Sequence, residues 1–352
     1  MAPPDEGWLA DVERWLPTRK DRSLERLATR LAGDVPGSSF AVFVRAFQLE
    51  LGWEFWTRIR HFLTGLYARV GVPAHRAEVD LFAGSYARTR RGIHLDSADV
   101  FCFVIEGRKR IRLWPRSTFP DDVGYWYGLA GERKHLSKSS CLDGEPGDIL
   151  YWPASCWHVG ESLGGTVSSL SLGLYPRDSL AATASRLIES DVARQLGADN
   201  YIESLRPSLN RLEALPARAR RAFARASDNL ALALLRRRME QVTGYAFDHV
   251  PPAPVARRRG SSIVIADPAF PILCRSVGGT VIVAANGRSI ALPPSKAIRE
   301  TIDALNRGVP VSLSQRSGGI QPQVREALRF LLVSGAVETR RAGGSREASR
   351  GR

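Results

Sequence analysis

The sequence predicts an α+β protein with a jelly-roll core, helical flanks and a small C-terminal unit of strands and helices. Between residues 76 and 177, short apolar runs such as DVFCFVIEG, KRIRLW and GDILYWP alternate with turn residues. This texture is typical of the strands of a β-barrel or jelly roll. Before and after this stretch the apolar residues recur at helical spacing, as Leu24, Leu27 and Leu31 do.

Changes of texture along the chain predict five regions. They are an N-terminal helical region (1–75), the jelly-roll core (76–177), a second helical region (178–250), a winged-helix-like domain (256–342) and a tail of disordered composition (343–352). In the winged-helix-like domain we expect helices at 295–306 and 321–334, the first capped by Ser295. The Asn286-Gly287 pair predicts a hairpin between two of its strands.

The charge balance is strongly basic, with a formal net charge of +14 and a pI near 10.3. Such a balance favours an acidic partner, but an arginine-rich composition can also reflect the base composition of a genome. No nucleic-acid-binding motif supports direct contact with RNA or DNA, which stays an alternative. We find no secretory leader, no membrane span and no CxxC among the four cysteines, and therefore expect a cytoplasmic protein without membrane contact.

Three residues have the types and spacing of a metal centre. His94 and Asp96 are two positions apart on a predicted strand, so their side chains share one face. His158 follows 62 residues after Asp96, at the end of the predicted strand GDILYWPASCWH. Two histidines and one carboxylate form the facial triad that holds Fe(II) in oxygenases. An HxD tripeptide alone also arises by chance, with His94 then an ordinary core or surface residue.

A lysine inside the predicted barrel strengthens this interpretation. On a period of two, the strand RKRIRLW places Lys109 on the same face as Ile111 and Leu113, which should point inward. A buried ammonium needs an anionic partner. A dicarboxylate cosubstrate would supply one, and an internal Asp or Glu is the alternative.

The segment RRGIHLDSADVFCFVIEGRKRIRLW, followed by GDILYWPASCWH, resembles the JmjC (cupin-like) 2-oxoglutarate oxygenases. It is most similar to the ribosomal-protein oxygenases of that class. The sharp match covers residues 91–175, and beyond it only the order of regions agrees. The resemblance implies a double-stranded β-helix with His94, Asp96 and His158 as catalytic metal ligands for Fe(II). It also implies that Lys109 binds the C5 carboxylate of 2-oxoglutarate.

Further site residues follow from the same resemblance. Ser169 and Ser171 alternate on one predicted strand and could assist the cosubstrate, although strand packing would explain them equally. Ser85 and Tyr86, just before the HxD strand, could contact the C1 side of 2-oxoglutarate or the substrate. Exposed aromatic residues in the insertion 119–140 could line a substrate groove, although anchoring of the loop is the preferred interpretation. The region 178–250 is expected to form a homodimer.

The resulting hypothesis is an Fe(II)-, 2-oxoglutarate- and O2-dependent dioxygenase that hydroxylates an amino-acid side chain in a protein or peptide. The resemblance makes a ribosomal protein the candidate substrate. Two alternatives remain open at this point. The chain could hydroxylate a free amino acid, a small natural product or a tRNA base. It could also be a non-enzymatic binding protein of the cupin type, although a decayed site tends to lose a ligand.

Overall fold

A computed structural model describes residues 18–34, 40–89, 91–120, 124–128, 132–197, 209–254, 262–312 and 320–341. The tail at 343–352 lies outside these ranges, as do the first 17 residues of the N-terminal region. The chain divides into two compact units. The first contains Met1–Phe47 and Glu78–Leu174, and the second contains Gln48–Ala77 and Tyr175–Arg352.

In its described residues the first unit is built around ten strands, and the end residues of β2 and β10 are assigned to the second unit. These strands are β1 (Phe40–Val44), β2 (Arg76–Ser85), β3 (Ile93–Leu95), β4 (Asp99–Glu106), β5 (Lys109–Trp114), β6 (Trp126–Gly128), β7 (Ser140–Gly144), β8 (Ile149–Trp152), β9 (Trp157–Ser162) and β10 (Val167–Tyr175). They form two five-stranded sheets with the orders β1-β2-β10-β4-β8 and β6-β3-β9-β5-β7. We call these the first and the second sheet. The architecture confirms the predicted double-stranded β-helix.

Alternation along the strands explains why the two sheets enclose a core. In β4 the residues Val100, Cys102 and Val104 are at most 6% exposed, whereas their neighbours in sequence are more open. In β5 the buried positions include Lys109 and Ile111. One face of each strand therefore points between the sheets, as the period of two predicted.

The N-terminal region differs in one respect from its predicted helical character. Helix α1 (Leu24–Asp34) belongs to the first unit and α2 (Gln48–Val70) to the second. Between them, Phe40–Val44 forms β1, which pairs with β2 at the edge of the first sheet. Its sequence FAVFV has the aromatic and β-branched residues of a strand. Five residues between two helices were too short a run for the pattern to reveal it.

The second unit contains the remaining helices and six strands. After α2 come α3 (Leu180–Leu196), α4 (Leu209–Asp228), α5 (Leu230–Thr243), α6 (Lys296–Asn306) and α7 (Pro322–Val333). The strands are β11 (Ser262–Ala266), β12 (Leu273–Val277), β13 (Thr280–Ala285), β14 (Arg288–Leu292), β15 (Val311–Ser312) and β16 (Val337–Arg341). In the part of the chain that is described, no helix is long and apolar enough for a membrane span.

Strands β11 to β16 form two three-stranded sheets, β15-β11-β16 and β12-β13-β14. Residues from these sheets share one apolar core with α6 and α7. The hairpin at Asn286-Gly287 is present, with both residues at positive φ. Ser295 precedes α6 as predicted but makes no capping bond, because its hydroxyl contacts the Gln321 side chain instead. The winged-helix description stays a prediction.

The turn between β4 and β5 depends on Gly107, and we expect its replacement by alanine to destabilise the barrel. Gly107 has φ +71°, and a Cβ atom there would lie 2.0 Å from the Thr166 carbonyl oxygen. Gly164 has a similar φ of +76° with nothing within 4 Å, so it is a matched control. Gly164→Ala should cost about 1 kcal/mol from the backbone conformation alone. Gly107→Ala should cost about 3 kcal/mol, since the clash adds to that term. Urea unfolding measures both, and equal losses would show that the turn relaxes freely.

Candidate active site

Two neighbouring strands of the second sheet bring the predicted metal ligands together. His94 is in β3 and Asp96 directly follows that strand, while His158 is the second residue of β9. Strands β3 and β9 are antiparallel, and the Cα atoms of His94 and His158 are direct partners. The pairing of these two strands therefore brings together Asp96 and His158, which are 62 positions apart in the sequence.

The ligand atoms of these three residues converge on one point. The Nε2 atom of His94 lies 3.7 Å from Oδ2 of Asp96, and the Nε2 atom of His158 lies 3.4 Å from the same oxygen. The two imidazole rings have their centroids 4.2 Å apart. One possible ligand atom from each residue lies within 4.8 Å of the others. This spacing matches three donors around one metal ion.

Hydrogen bonds to the backbone orient both imidazole rings. The Nδ1 atom of His94 is 2.8 Å from the Gly92 carbonyl oxygen, and that of His158 is 3.4 Å from the Cys156 carbonyl oxygen. A carbonyl can only accept, so each Nδ1 carries the proton and donates it. The Nε2 atoms are then left as lone-pair donors facing Asp96, which is the arrangement that metal-ligating histidines adopt.

The pKa values of His94 and Asp96 favour the protonation states that bind a metal ion. Burial lowers the pKa of His94 to about 4, and the neighbouring His158 adds to this shift. For Asp96 burial would raise the pKa, but the neighbouring His158, together with His94 and Arg91, outweighs it, and the pKa is about 2. At neutral pH the site therefore offers a neutral imidazole at His94 and an ionised carboxylate.

Lys109 lies inside the barrel, as its position on the strand predicted. The side chain is 3% exposed, and Nζ donates to Ser169 Oγ at 2.7 Å and to the Tyr86 hydroxyl at 3.4 Å. The ammonium is also 5.2 Å from the centre of the Phe82 ring. Within the described part of the chain it forms no ion pair. The alternative of an internal Asp or Glu partner is therefore not found there.

The strand register gives the separation between the ammonium and the metal ligands. Along β9 and β5, His158 is the partner of Leu113, and Ser162 is the partner of Lys109. Four residues along a strand correspond to about 13 Å, and part of this distance is covered by the lysine side chain. We call the barrel interior between the triad and the Lys109 ammonium the chamber. Both of its ends belong to the second sheet.

A glycine allows β9 to pack closely against the lysine side chain. Gly160 lies on β9 between the levels of His158 and Ser162. A Cβ atom at this position would be 3.2 Å from the Thr89 methyl, 3.6 Å from Ile111 Cδ1 and 3.8 Å from Lys109 Cε. A larger residue would fill the chamber between the ammonium and the triad.

The predicted auxiliary residues separate into two groups. Ser169 is fully buried and contacts Lys109, and Ser171 follows two positions later on the same strand face, paired with Cys102. Ser85 is the partner of Phe40 in the first sheet, and no described contact joins it to the triad or the lysine. Tyr86 reaches the lysine end of the chamber, whereas the sequence had suggested the C1 side of the cosubstrate or the substrate.

The segment that carries His158 also differs in detail from its prediction. The predicted strand ending at His158 is interrupted by a turn, so that β8 ends at Trp152 and His158 belongs to the next strand. Pro153 has no backbone N–H to continue the ladder. The Asp99 carboxylate accepts a hydrogen bond of 2.9 Å from the backbone N–H of Ala154, which fixes the turn.

Aromatic residues of the insertion divide between anchoring and exposure. Tyr127 packs against Phe119 and His135, with ring centroids 4.5 and 5.4 Å away. Tyr125 and Trp126 are 65% and 63% exposed. Trp126 is the Cα partner of His94 across β3 and β6. Tyr127 therefore anchors the loop. Tyr125 and Trp126 are exposed beside the triad, and we call these two residues the aromatic rim.

Sequence reasoning missed two side chains near the chamber whose polar atoms are buried. Trp152 lies with its ring centroid 5.2 Å from that of His158. Thr89 has its methyl group beside Gly160. Neither Trp152 Nε1 nor Thr89 Oγ1 has a hydrogen-bond partner among the described residues. The alternation of ILYW would have placed Trp152 inward, but its unpaired nitrogen was beyond the reach of a sequence pattern.

Comparisons with known proteins find similarity to proteins named ribosomal oxygenases. The curated protein ribosomal oxygenase 2 of Rattus norvegicus is 30% identical over 114 residues, which cover 30% of this chain and 24% of that protein. This chain thus spans about a quarter of that relative. Among solved structures, ribosomal oxygenase YcfD of Escherichia coli is 18% identical, with 85% of this chain and 78% of that chain covered and a TM-score of 0.42.

A second structure of YcfD, in complex with cobalt and 2-oxoglutarate, has the same identity of 18% and the same coverage of 85% and 78%, with a TM-score of 0.44. The family model for the JmjC domain matches residues 70–181. This range contains all three residues of the triad, the buried lysine and nine of the ten barrel strands. Residues 70–181 of this chain are therefore a JmjC domain.

Proposed function

We propose that this chain is an Fe(II)- and 2-oxoglutarate-dependent dioxygenase that hydroxylates an amino-acid side chain in a protein or peptide. The observation that carries the proposal is the pairing, inside one JmjC barrel, of a His/Asp/His cluster with a buried lysine that has no carboxylate partner among the described residues. A metal ion would complete the first feature, and a dicarboxylate would complete the second.

The donor set fits Fe(II). Two imidazole nitrogens and one carboxylate oxygen are the ligands of the facial triad, which leaves coordination positions open. A structural zinc ion would usually have four protein ligands, and the described residues supply three at this point. His94, Asp96 and His158 would hold the iron, and with 2-oxoglutarate it would supply the activation of O2 for attack on a C–H bond.

The protein's own groups would bind, orient and shield the reactants. Lys109 would pair with the distal carboxylate of 2-oxoglutarate, supported by Ser169 and Tyr86, in a chamber shielded from water. Asp96 is the most open of the three ligands, with 32% of its side chain exposed. A substrate would therefore approach the metal from the side of Asp96, because the opposite end, at Lys109, is buried.

The exposed rim supports a polypeptide as the substrate. Trp126 begins the strand that pairs with the one carrying His94, and Tyr125 directly precedes it. Large exposed aromatic residues are typical of surfaces that bind proteins. The relative with the name ribosomal oxygenase makes a ribosomal protein the candidate. Incubation of ribosomal proteins with enzyme, Fe(II) and 2-oxoglutarate, followed by mass spectrometry, tests this by a gain of one oxygen atom.

We also propose a homodimer and a cytoplasmic location. Helix α3 has apolar residues on several faces but no buried residue, and its first residue, Leu180, is 72% exposed. Apolar residues that a helix leaves partly exposed can pack against a second copy, and we infer such a contact here. All four cysteines are free thiols, which suits a reducing compartment. Light scattering at micromolar concentration measures the oligomeric state.

The first prediction of this proposal concerns the metal. Mn(II), a redox-stable substitute for Fe(II), should bind the wild type and raise its thermal unfolding midpoint. In Asp96→Asn the carboxylate ligand is lost, and we expect Mn(II) affinity to fall by roughly a hundredfold or more, with the rise abolished. Asp99→Asn is the matched control, because it keeps the oxygen that accepts from Ala154 and should bind Mn(II) normally. Normal Mn(II) binding by Asp96→Asn would reject the metal site.

The second prediction concerns the buried ammonium. Breaking a buried charge pair typically costs about 3–5 kcal/mol, so Lys109→Met should weaken 2-oxoglutarate binding to the Mn(II)-loaded protein by roughly two to three orders of magnitude. Lys109→Arg should be milder, because the charge remains. Since no internal carboxylate is left unpaired, the thermal midpoint without ligand should stay unchanged or rise. Isothermal titration calorimetry and thermal unfolding measure the two effects.

Arg110 provides the control for that experiment. It follows Lys109 on the same strand but points to the other face, where it pairs with Asp143 at 2.6 Å. Arg110→Met should leave 2-oxoglutarate affinity unchanged. The assignment of Lys109 would be wrong if Lys109→Met bound the cosubstrate as tightly as Arg110→Met does.

A further inference from the structure

The indole N–H of Trp152 is a buried hydrogen-bond donor with no partner among the described residues. Trp152 is the last residue of β8 and is 4% exposed. Most buried polar groups in proteins have a partner, because an unpaired donor has lost its hydrogen bonds to water without replacement. Such a donor is available to an acceptor that arrives with a bound molecule, but burial alone does not require one, since the buried Trp56 indole also lacks a partner among the described residues.

The position of Trp152 places this donor at the metal end of the chamber. Its Cα partner in the first sheet is Val100, which faces the core. Its ring contacts His158, which belongs to the second sheet, at 5.2 Å between centroids. The indole therefore lies between the two sheets, beside one of the proposed metal ligands.

The other two buried tryptophans of the barrel show what a structural indole does in this protein. Trp114 Nε1 donates to the His135 carbonyl oxygen at 2.9 Å, and Trp157 Nε1 donates to the Arg116 carbonyl oxygen at 3.2 Å. Both are 1% exposed, so deep burial alone does not prevent an indole from finding an acceptor here. Trp152 differs from them by its contact with a ligand histidine.

We propose that the Trp152 indole N–H donates a hydrogen bond to the carboxylate that 2-oxoglutarate places at the metal, and so positions the cosubstrate. This inference rests on the proposed function. Lys109 and Trp152 would then bind the two carboxylates of 2-oxoglutarate. The lysine would do so by its charge, and the indole by an uncharged N–H hydrogen bond. Ser169 is on the same sheet as Trp152 and contacts the ammonium, so the first sheet contributes to both ends.

The depth of Trp152 favours the cosubstrate over the substrate as the acceptor. The substrate has to enter from outside, where Asp96 has 32% of its side chain exposed and the aromatic rim begins. The cosubstrate has to reach the ammonium, which is 3% exposed. A donor that is 4% exposed is on the interior part of this path.

The test is the replacement Trp152→Phe in the full-length, Mn(II)-loaded protein. Phenylalanine keeps an aromatic ring beside His158 and removes only the donor and part of the ring. A hydrogen bond to a charged group corresponds to a loss of roughly tenfold to a hundredfold in 2-oxoglutarate affinity, measured by calorimetry. Mn(II) affinity should not change. The thermal midpoint of the ligand-free protein should fall less than in a variant that also loses a hydrogen bond, because here only ring volume is lost.

Trp114→Phe is the matched control, since it removes an indole donor that has an acceptor. It should lower the thermal midpoint and leave 2-oxoglutarate affinity unchanged. If Trp152→Phe behaves in the same way as Trp114→Phe, the indole is structural or bound to a water molecule only, and the inference is overturned. If the wild type fails to bind 2-oxoglutarate at all, both the proposed function and this inference fail. Normal binding by the wild type with no change in Trp152→Phe rejects the inference alone.

A measurement on the wild type decides the question if Trp152→Phe does not fold. The chain has eight tryptophans, so nitrogen-15 NMR of the Zn(II)-loaded protein should show eight indole N–H signals. Addition of 2-oxoglutarate should move one of them strongly downfield, and Trp152→Tyr should lack that signal. The absence of such a shift would overturn the inference.

Discussion

The buried ammonium of Lys109 is the interaction on which the rest of the site depends. An amphipathic strand normally places lysine on the solvent face, and a cation inside an apolar barrel is unfavourable unless an anion accompanies it. Here two hydroxyl groups accept its hydrogen bonds, but neither neutralises its charge. The ammonium inside the barrel therefore still lacks a counter-charge among the described residues, and a small anion can supply it.

The proposed metal ligands meet a different constraint, which is geometric. His94 and His158 are cross-strand partners, so the backbone ladder itself holds their Cα atoms together. Carbonyl groups two residues before each histidine accept from Nδ1 and leave both Nε2 atoms facing Asp96. The burial that encloses His94 also keeps its imidazole neutral. Strand pairing, local hydrogen bonds and desolvation thus act together to prepare the donor set before any metal ion binds.

Much of the site could be predicted from the sequence because it depends on the period of two in a strand. That period placed His94 and Asp96 on one face and turned Lys109 inward. The exposure of Trp126 and the position of the Tyr86 hydroxyl could not be predicted, since both depend on which strands become neighbours. Strand β1 was hidden between two helices, and the unpaired nitrogen of Trp152 is a property of three-dimensional packing alone.

The location of both ends of the chamber on one sheet has a consequence for selectivity. The distance between the triad and Lys109 is measured along β5 and β9, which are joined by continuous backbone hydrogen bonds. Sliding or breathing of one sheet against the other would alter the walls of the chamber but not this distance. If a dicarboxylate joins the triad and Lys109, the backbone part of this separation is therefore fixed by the sheet. Only the lysine side chain can then adjust to an acid that is one carbon longer or shorter.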